Sequence, residues 1–240
     1  MDPKDHFGAD VARRYDQDHA NSDAVAETVE ALRALSGGGR VLEFAIGTGR
    51  IALPLAAMGV PVAGIELSRA MVDELRRKET GAPIPVVIGD MTTAQVPGAF
   101  ALVALVYNTI DNLTTQAAQV ACFRNAAAHL EPGGRFVVET LVPPVQKLPF
   151  GETRSAFACE GGHIGVDVID IATQLYSSTH VWLDGNDSRA LTVPFRYAWP
   201  AEMDLMAQMA GMALEHRWAD WTRAPFDRFS RSHVSVWRKG

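Results

Sequence analysis

Cysteine is scarce in this 240-residue sequence: Cys122 and Cys159 are the whole supply, too few for a disulfide framework. Cys122 falls on an apolar helical stripe and reads as a small buried hydrophobe, a usage that fits a reducing cytoplasm, where the protein is expected. Long apolar runs are also missing. The longest, Phe100 to Tyr107, is far short of the roughly 20 residues that cross a bilayer. The N-terminal Met-Asp-Pro-Lys-Asp-His lacks the apolar core of a signal peptide, so a soluble chain with no membrane partner is expected. There is no basic face either. The net charge is −6 with both signs scattered, which argues against a nucleic-acid partner. The one cationic cluster, Arg76-Arg-Lys78, sits at a predicted helix end and complements the dipole there. The seven histidines show no His-x₃-His spacing and the cysteines no Cys-x₂-Cys, so no metal is expected. Without a Gly-x-Ser-x-Gly elbow, hydrolase chemistry has no support.

What is present centres on the stretch from Arg40 to Met58. A short apolar run, Val41 to Phe44, suits a buried strand, and Gly47-Thr-Gly49 bends the backbone where a Cβ would obstruct a ligand. A helix-compatible segment follows to Met58, predicted to aim its unpaired N–H groups at whatever fills the loop. A second strand, Val62 to Glu66, ends in an acid able to accept two hydrogen bonds from a ribose diol. A third, Val86 to Ile88, leads into Gly89-Asp90-Met91, with another acid at the same sheet edge.

This layout, from about Arg40 to Glu139, resembles the class I S-adenosylmethionine-dependent methyltransferases. Glu43 stands where that family has an acid closing the first strand, Glu66 matches its ribose-binding acid, and Asp90-Met91 matches the pair flanking the adenine. Leu130-Glu-Pro-Gly-Gly-Arg-Phe-Val-Val-Glu139 looks like its turn into the fifth strand. Two positions depart from the pattern: Ala45 replaces a frequent loop glycine, and Ala101 a frequent acid before the fourth strand. The resemblance implies S-adenosyl-L-methionine as cofactor. Ala45, Gly47, Thr48, Gly49 and Arg50 would form its loop, and Leu67 and Met71 would edge the adenine pocket. Tyr15, in the charged N-terminal segment with Arg14 beside it, would approach the methionine end. The looser match of Gly47-x-Gly49-x-x-Ala52 to a dinucleotide fingerprint leaves a nicotinamide-dependent oxidoreductase as a rival. A non-catalytic module that only binds the cofactor is another.

Along the rest of the chain, apolar spacing predicts a helix over Ser22–Leu35, one opened by Ser68, and one over Thr115–Leu130. Phe100 to Tyr107 reads as a central parallel strand covered on both faces. At its carboxyl end Tyr107 and Asn108 are placed toward the cofactor and Asp111 and Asn112 toward an acceptor, since ligands collect at that edge of open α/β sheets. Beyond Pro143-Pro144, period-two runs at His163–Ile171, Gln174–Leu183 and Arg189–Tyr197 predict inserted antiparallel strands, with a hairpin turn at Asp184-Gly-Asn-Asp187. Trp199-Pro200 opens a helix to Gly211, and Leu214–Trp221 and Ser232–Trp237 would close the sheet as an antiparallel pair.

The expected fold is therefore α/β: a Rossmann-like, doubly wound, mostly parallel seven-stranded sheet with a C-terminal antiparallel pair and a small inserted antiparallel sheet. The chain is read as a single domain over 1–240. Its parts are a helical lid over 1–36, a cofactor core over 37–142, the insert over 143–198 and the closing helix and strands over 199–240. The expected partner is a small-molecule methyl acceptor, methylated at N or O by in-line displacement, with the protein a monomer or homodimer. An amine acceptor needs only to be neutral. A hydroxyl acceptor calls for a general base, and His163 is the candidate.

Overall fold

The computed structural model describes residues 8–18, 22–185 and 187–240. The polar N-terminal hexapeptide and Asn186 of the hairpin turn lie outside the described residues. Two sheets dominate. The larger has seven strands in the order β10-β11-β5-β4-β1-β2-β3. Its parallel part comprises β1 (Val41–Phe44), β2 (Val62–Glu66), β3 (Val86–Ile88), β4 (Phe100–Leu105) and β5 (Leu130–Leu141). The antiparallel edge is β10 (Met212–Trp218) and β11 (Ser232–Lys239), with β11 paired to β5. The chain order reverses between β1 and β4, and a crevice opens at their carboxyl ends.

Helices cover this sheet because its central strands are apolar on both faces: all four residues of β1 are buried. One layer contains α2 (Ser22–Ser36), whose Val29, Leu32 and Leu35 pack with Val41, Leu102 and Val137. On the other side α5 (Gln116–His129) and α6 (Pro200–Met209) enclose Phe44, Phe123, Phe136 and Trp237. Phe123 meets Phe136 edge-on at 5.0 Å and Trp237 at 5.1 Å. α4 (Arg69–Lys78) is capped as expected by Ser68, whose Oγ accepts the Met71 N–H at 3.3 Å. Arg76, Arg77 and Lys78 occupy its last turn.

The smaller sheet runs β6-β7-β8-β9, made of β6 (Arg154–Glu160), β7 (His163–Asp170), β8 (Leu175–Asp184) and β9 (Asp187–Arg196). Three of its strands match the expected ones within a few residues. β6 was not expected, because its mostly exposed residues carry no strong alternation. The insert is tied to the helices that cover the larger sheet through Arg196, which donates to Glu202 of α6 at 2.8 Å and whose carbonyl accepts from Gln119 of α5 at 2.9 Å.

Other boundaries also move. β4 stops at Leu105, because Tyr107 and Asn108 take left-handed conformations (φ 60° and 58°) that end a strand. Pro132-Gly-Gly134 is a bulge within β5 rather than a turn before it: Phe100 pairs with Leu130, yet Leu102 pairs with Arg135. β10 begins at Met212 and ends at Trp218, earlier at both ends than expected. α3 (Ala52–Ala57) starts three residues past Gly49, and its Ala52 N–H goes to Glu43.

Candidate active site

The crevice at the switch point continues under the inserted sheet as one cleft of about 2400 Å³. Its inner end is the edge formed by β1, β2 and β3. Ala45 adopts φ 52°, the left-handed conformation that glycine takes most easily, followed by Gly47 at φ 57° and Gly49 at φ 79°. Alanine therefore supplies the expected turn without a glycine. A Cβ on Gly49 would come within 3.0 Å of Leu53 and Leu75, so that glycine serves packing of the loop on α4.

Glu66 fastens the loop. Its Oε2 accepts the Gly47 N–H at 2.8 Å and its Oε1 the Ser68 N–H at 2.8 Å. Burial raises its pKa against the pull of these backbone donors. Glu66 still lines the cleft, and beside the backbone donors its carboxylate keeps capacity to accept from a ligand hydroxyl. Asp90 lines it too. Its Oδ1 accepts both the N–H and the hydroxyl of Thr92, at 2.8 and 2.7 Å, leaving Oδ2 for a ligand donor. Leu67, Met71 and Met91 give apolar walls between the two acids, and Met71 is at once 3% exposed and part of the lining.

Glu43, Thr48, Gly49 and Arg50 do not form the cleft wall; they hold it in place. Burial, opposed by Arg50 and reinforced by Glu66, pushes the Glu43 carboxyl up to about 8. The first N–H of α3, on Ala52, goes to that carboxyl and not to a ligand. Thr48 donates to Asp16 on α1 (Ala9–Asp18) at 2.6 Å, and Lys78 of α4 pairs with the same carboxylate. These contacts bring Tyr15 to the cleft, while Arg14 stays exposed. Burial pushes the Tyr15 phenol up to about 12 despite Arg50 nearby. Arg50 itself stacks on the Tyr107 ring at 4.1 Å. The Tyr107 N–H is held by Glu139 Oε2 at 2.9 Å, which stabilises the left-handed pair Tyr107-Asn108 beside the cleft.

The two residues predicted for the acceptor side part ways. Asn112 lines the cleft. Asp111 does not: it is 2% exposed, with Oδ1 accepting from Thr140 at 3.3 Å and Oδ2 from the Tyr176 hydroxyl at 3.0 Å. The aromatic ring of Tyr176 stands between Asp111 and the open space. Burial lifts Asp111 to about 7, against the hydrogen bonds and Arg196. Burial and that carboxyl also push the Tyr176 phenol well up, so it stays protonated.

A family profile described as a methyltransferase domain matches residues 41–134. The structure of the CcbJ methyltransferase from Streptomyces caelestis superposes with a TM-score of 0.89, at 36% identity over 100% of both chains. The chain belongs to the class I S-adenosylmethionine-dependent methyltransferases. Cypemycin N-terminal methyltransferase of a Streptomyces species is 27% identical over 202 residues, 83% of this chain and 82% of that protein. CalS10, an amino pentose methyltransferase from Micromonospora echinaspora, shares the fold at a TM-score of 0.73 and 22% identity, over 96% and 97% of the two chains.

This methyltransferase thus uses S-adenosyl-L-methionine, and the nicotinamide reading of the glycine loop falls. The donor set fits the cofactor: a carboxylate for a diol, a second for an amino group, and apolar side chains between them. Among the described residues no cluster suited to a metal ion is found, and no helix is long and apolar enough to cross a membrane.

Sequence reasoning named residues that line the inner end of the cleft, such as Glu66, Asp90 and Met91, but few of those that line it under the insert. His163 does line the cleft, together with Phe157, Asp167, Tyr176, His180 and Trp182. The available signal was alternation: Tyr176, His180 and Trp182 share one face of β8, and pairing puts them beside Ile169, Gly165 and His163. That register depends on the turn at Ile171–Gln174, where Gln174 takes φ 60°, an unusual choice for a residue with a Cβ.

Proposed function

We propose that the enzyme methylates an amine nitrogen of a small-molecule acceptor bound between the Asn108–Leu113 segment and the inserted sheet. One observation supports this above others: among the described residues, the only histidines lining the cleft are His163 and His180, both far out on the insert. Their row of β8 lies four and six residues from Tyr176, the residue that touches the floor of the cleft. At roughly 3.3 Å per residue this sets them about 13 Å or more along the strand from the Tyr176–Asp111 contact, the end of the cleft where this reading puts the reacting atom. The phenols nearer the floor, Tyr15 and Tyr176, have raised pKa values and stay protonated. An amine needs no strong base, since it attacks once it has lost its extra proton to water.

When bound, the cofactor supplies an electrophilic methyl group on a sulfonium. The chain's residues then have three tasks under this reading. Glu66 and Asp90 hold the adenosyl end. Tyr15 on α1, tied down through Asp16, Thr48 and Lys78, covers the methionine end and keeps water out. Asn112, Tyr176 and the aromatic lining of the insert orient the acceptor. The named relatives give some support, since one is a cypemycin N-terminal methyltransferase and another an amino pentose methyltransferase.

The test is turnover of methyl-labelled cofactor with a panel of amines, sugars and phenols, followed by assignment of the methylated atom by NMR. Products carrying N-methyl groups are expected. A panel in which only hydroxyl groups are methylated would overturn the amine assignment.

A further inference from the structure

Strand pairing sets side chains in rows on the cleft face of the inserted sheet. Tyr176 stands in the row that reaches Asp111. Asp167 and Ser178 share the next row, Gly165 and His180 the third, and His163 and Trp182 the fourth. Phe157 lies beside the third row, 5.1 Å from His180, resting over Gly165, where a Cβ would come within 2.2 Å of its ring. The two histidines serve each other: His163 Nε2 lies 3.0 Å from His180 Nδ1.

Two carboxylates of the insert's strands line the cleft, and they are not equivalent. Asp170 is exposed and spends both oxygens locally, Oδ1 on the Ala172 N–H at 2.9 Å and Oδ2 on the Thr173 hydroxyl at 2.7 Å. Asp167 is half-buried. Its Oδ1 accepts from the Ser178 hydroxyl, while Oδ2 makes no hydrogen bond and the carboxylate no ion pair among the described residues. Burial raises its pKa, against the Ser178 hydrogen bond and the pull of His180. His180 gives that pull little force, because burial and His163 hold it below the ordinary imidazole range. The charged form of Asp167 therefore lacks a compensating cation that the chain could supply. Attraction to a cation is several times stronger at such a part-buried position than in bulk water, where an exposed acid such as Asp170 is screened. The rings in the flanking rows, Tyr176 and Phe157, also suit a cation.

We propose that Asp167 is a specificity-determining residue of the acceptor site, selecting acceptors that carry a positively charged nitrogen. The assignment rests on the reading that seats the acceptor under the insert, and adds the charge of the molecule taken there. A nitrogen held as an ammonium ion has no lone pair, so it does not attack the methyl group while Asp167 holds it; the residue serves binding. The reacting amine before it loses its proton and a second cationic nitrogen on the same acceptor share this chemistry, and a kinetic comparison separates them.

The binding probes are choline and its uncharged carbon isostere, 3,3-dimethylbutanol. Each is titrated into the full chain saturated with S-adenosylhomocysteine, and the amide signals of residues 165–169 and 176–180 are followed by NMR. Choline should bind about five- to thirtyfold tighter, the range for a partly desolvated cation over aromatic rings. Asp167→Asn keeps an acceptor for the Ser178 hydroxyl and should bring the ratio close to one, with the affinity for S-adenosylhomocysteine unchanged. Asp170→Asn should keep the wild-type ratio. The kinetic comparison uses hexylamine and the same amine carrying a terminal trimethylammonium group. A KM raised by Asp167→Asn for both amines identifies the reacting nitrogen as the one captured; a rise confined to the doubly charged amine identifies a second nitrogen. Equal affinities of the two binding probes, no binding by either, a preference that survives Asp167→Asn, or an unchanged KM for both amines would overturn the assignment. Failure of both amines as substrates would count against the amine reading alone, since the NMR titration needs no turnover and still decides the role of Asp167.

Discussion

The two sheets of this methyltransferase solve opposite problems. The parallel sheet is buried on both faces, and the shape of its cleft edge is set by backbone: left-handed Ala45, Gly47 and Gly49, and N–H groups collected by Glu66 and Glu139. The inserted sheet is open on its outer face, and its cleft face is made of side chains in cross-strand pairs. A backbone site tolerates little change, since each atom of it is fixed by the core beneath. A side-chain site on one face of a sheet can be rewritten residue by residue without disturbing the fold. Under the proposed reading, cofactor recognition and acceptor recognition are kept in structurally separate parts.

The sharpest break of that comparison is a pair of matched truncations. Phe123→Ala, in the aromatic core under the parallel sheet, should cost about 3–5 kcal/mol. Phe157→Ala, on the 46% exposed ring over Gly165, should change stability by no more than about 0.5 kcal/mol. Chemical denaturation of both measures this, and equal losses would mean the insert shares the core's cooperativity. Next in size, Glu66→Ala should weaken S-adenosylmethionine binding by about 1–3 kcal/mol in calorimetry. His180→Phe should leave that affinity unchanged. Ser68→Ala, which removes the cap of α4 beside the adenine wall, should destabilise by about 1 kcal/mol.

The joint between the sheets is tested by pH. Asp111 has its pKa raised from an ordinary 3.8 to about 7 by burial behind Tyr176. The folded state keeps this proton where an unfolded chain has released it, so folding takes up a proton between those values. Its contribution to stability is present at low pH, falls as pH rises through that window and is fully lost above about 7. Asp111→Asn should therefore gain thermal stability relative to the wild type as pH rises from about 4 to 7, with a constant difference above. Parallel melting curves would show that the joint does not titrate in this way.

Much of the parallel sheet and its cleft edge was readable in sequence order. Strand ends tipped by Glu66 and Asp90, and the glycine turn between β1 and α3, follow from local pattern, because a buried parallel strand must be a continuous apolar run. Asp111 illustrates the limit. An acid just past a central strand reads as an acceptor ligand, yet its side chain turns inward because Thr140 and Tyr176, remote in sequence, supply its hydrogen bonds. Glu43 is similar: its position was legible, but its partner, the Ala52 N–H, depended on where α3 begins.

By itself the sequence determined the parallel core, the strand order implied by its motifs, and the row of acids and glycines along one edge. These are set by hydrophobic periodicity and by backbone conformations few residues can adopt. Only the tertiary structure decided which face of the insert looks into the cleft and which histidine meets which. Strand register fixes both, and a slip of one residue would have sent His163, Asp167, His180 and Trp182 to the solvent side.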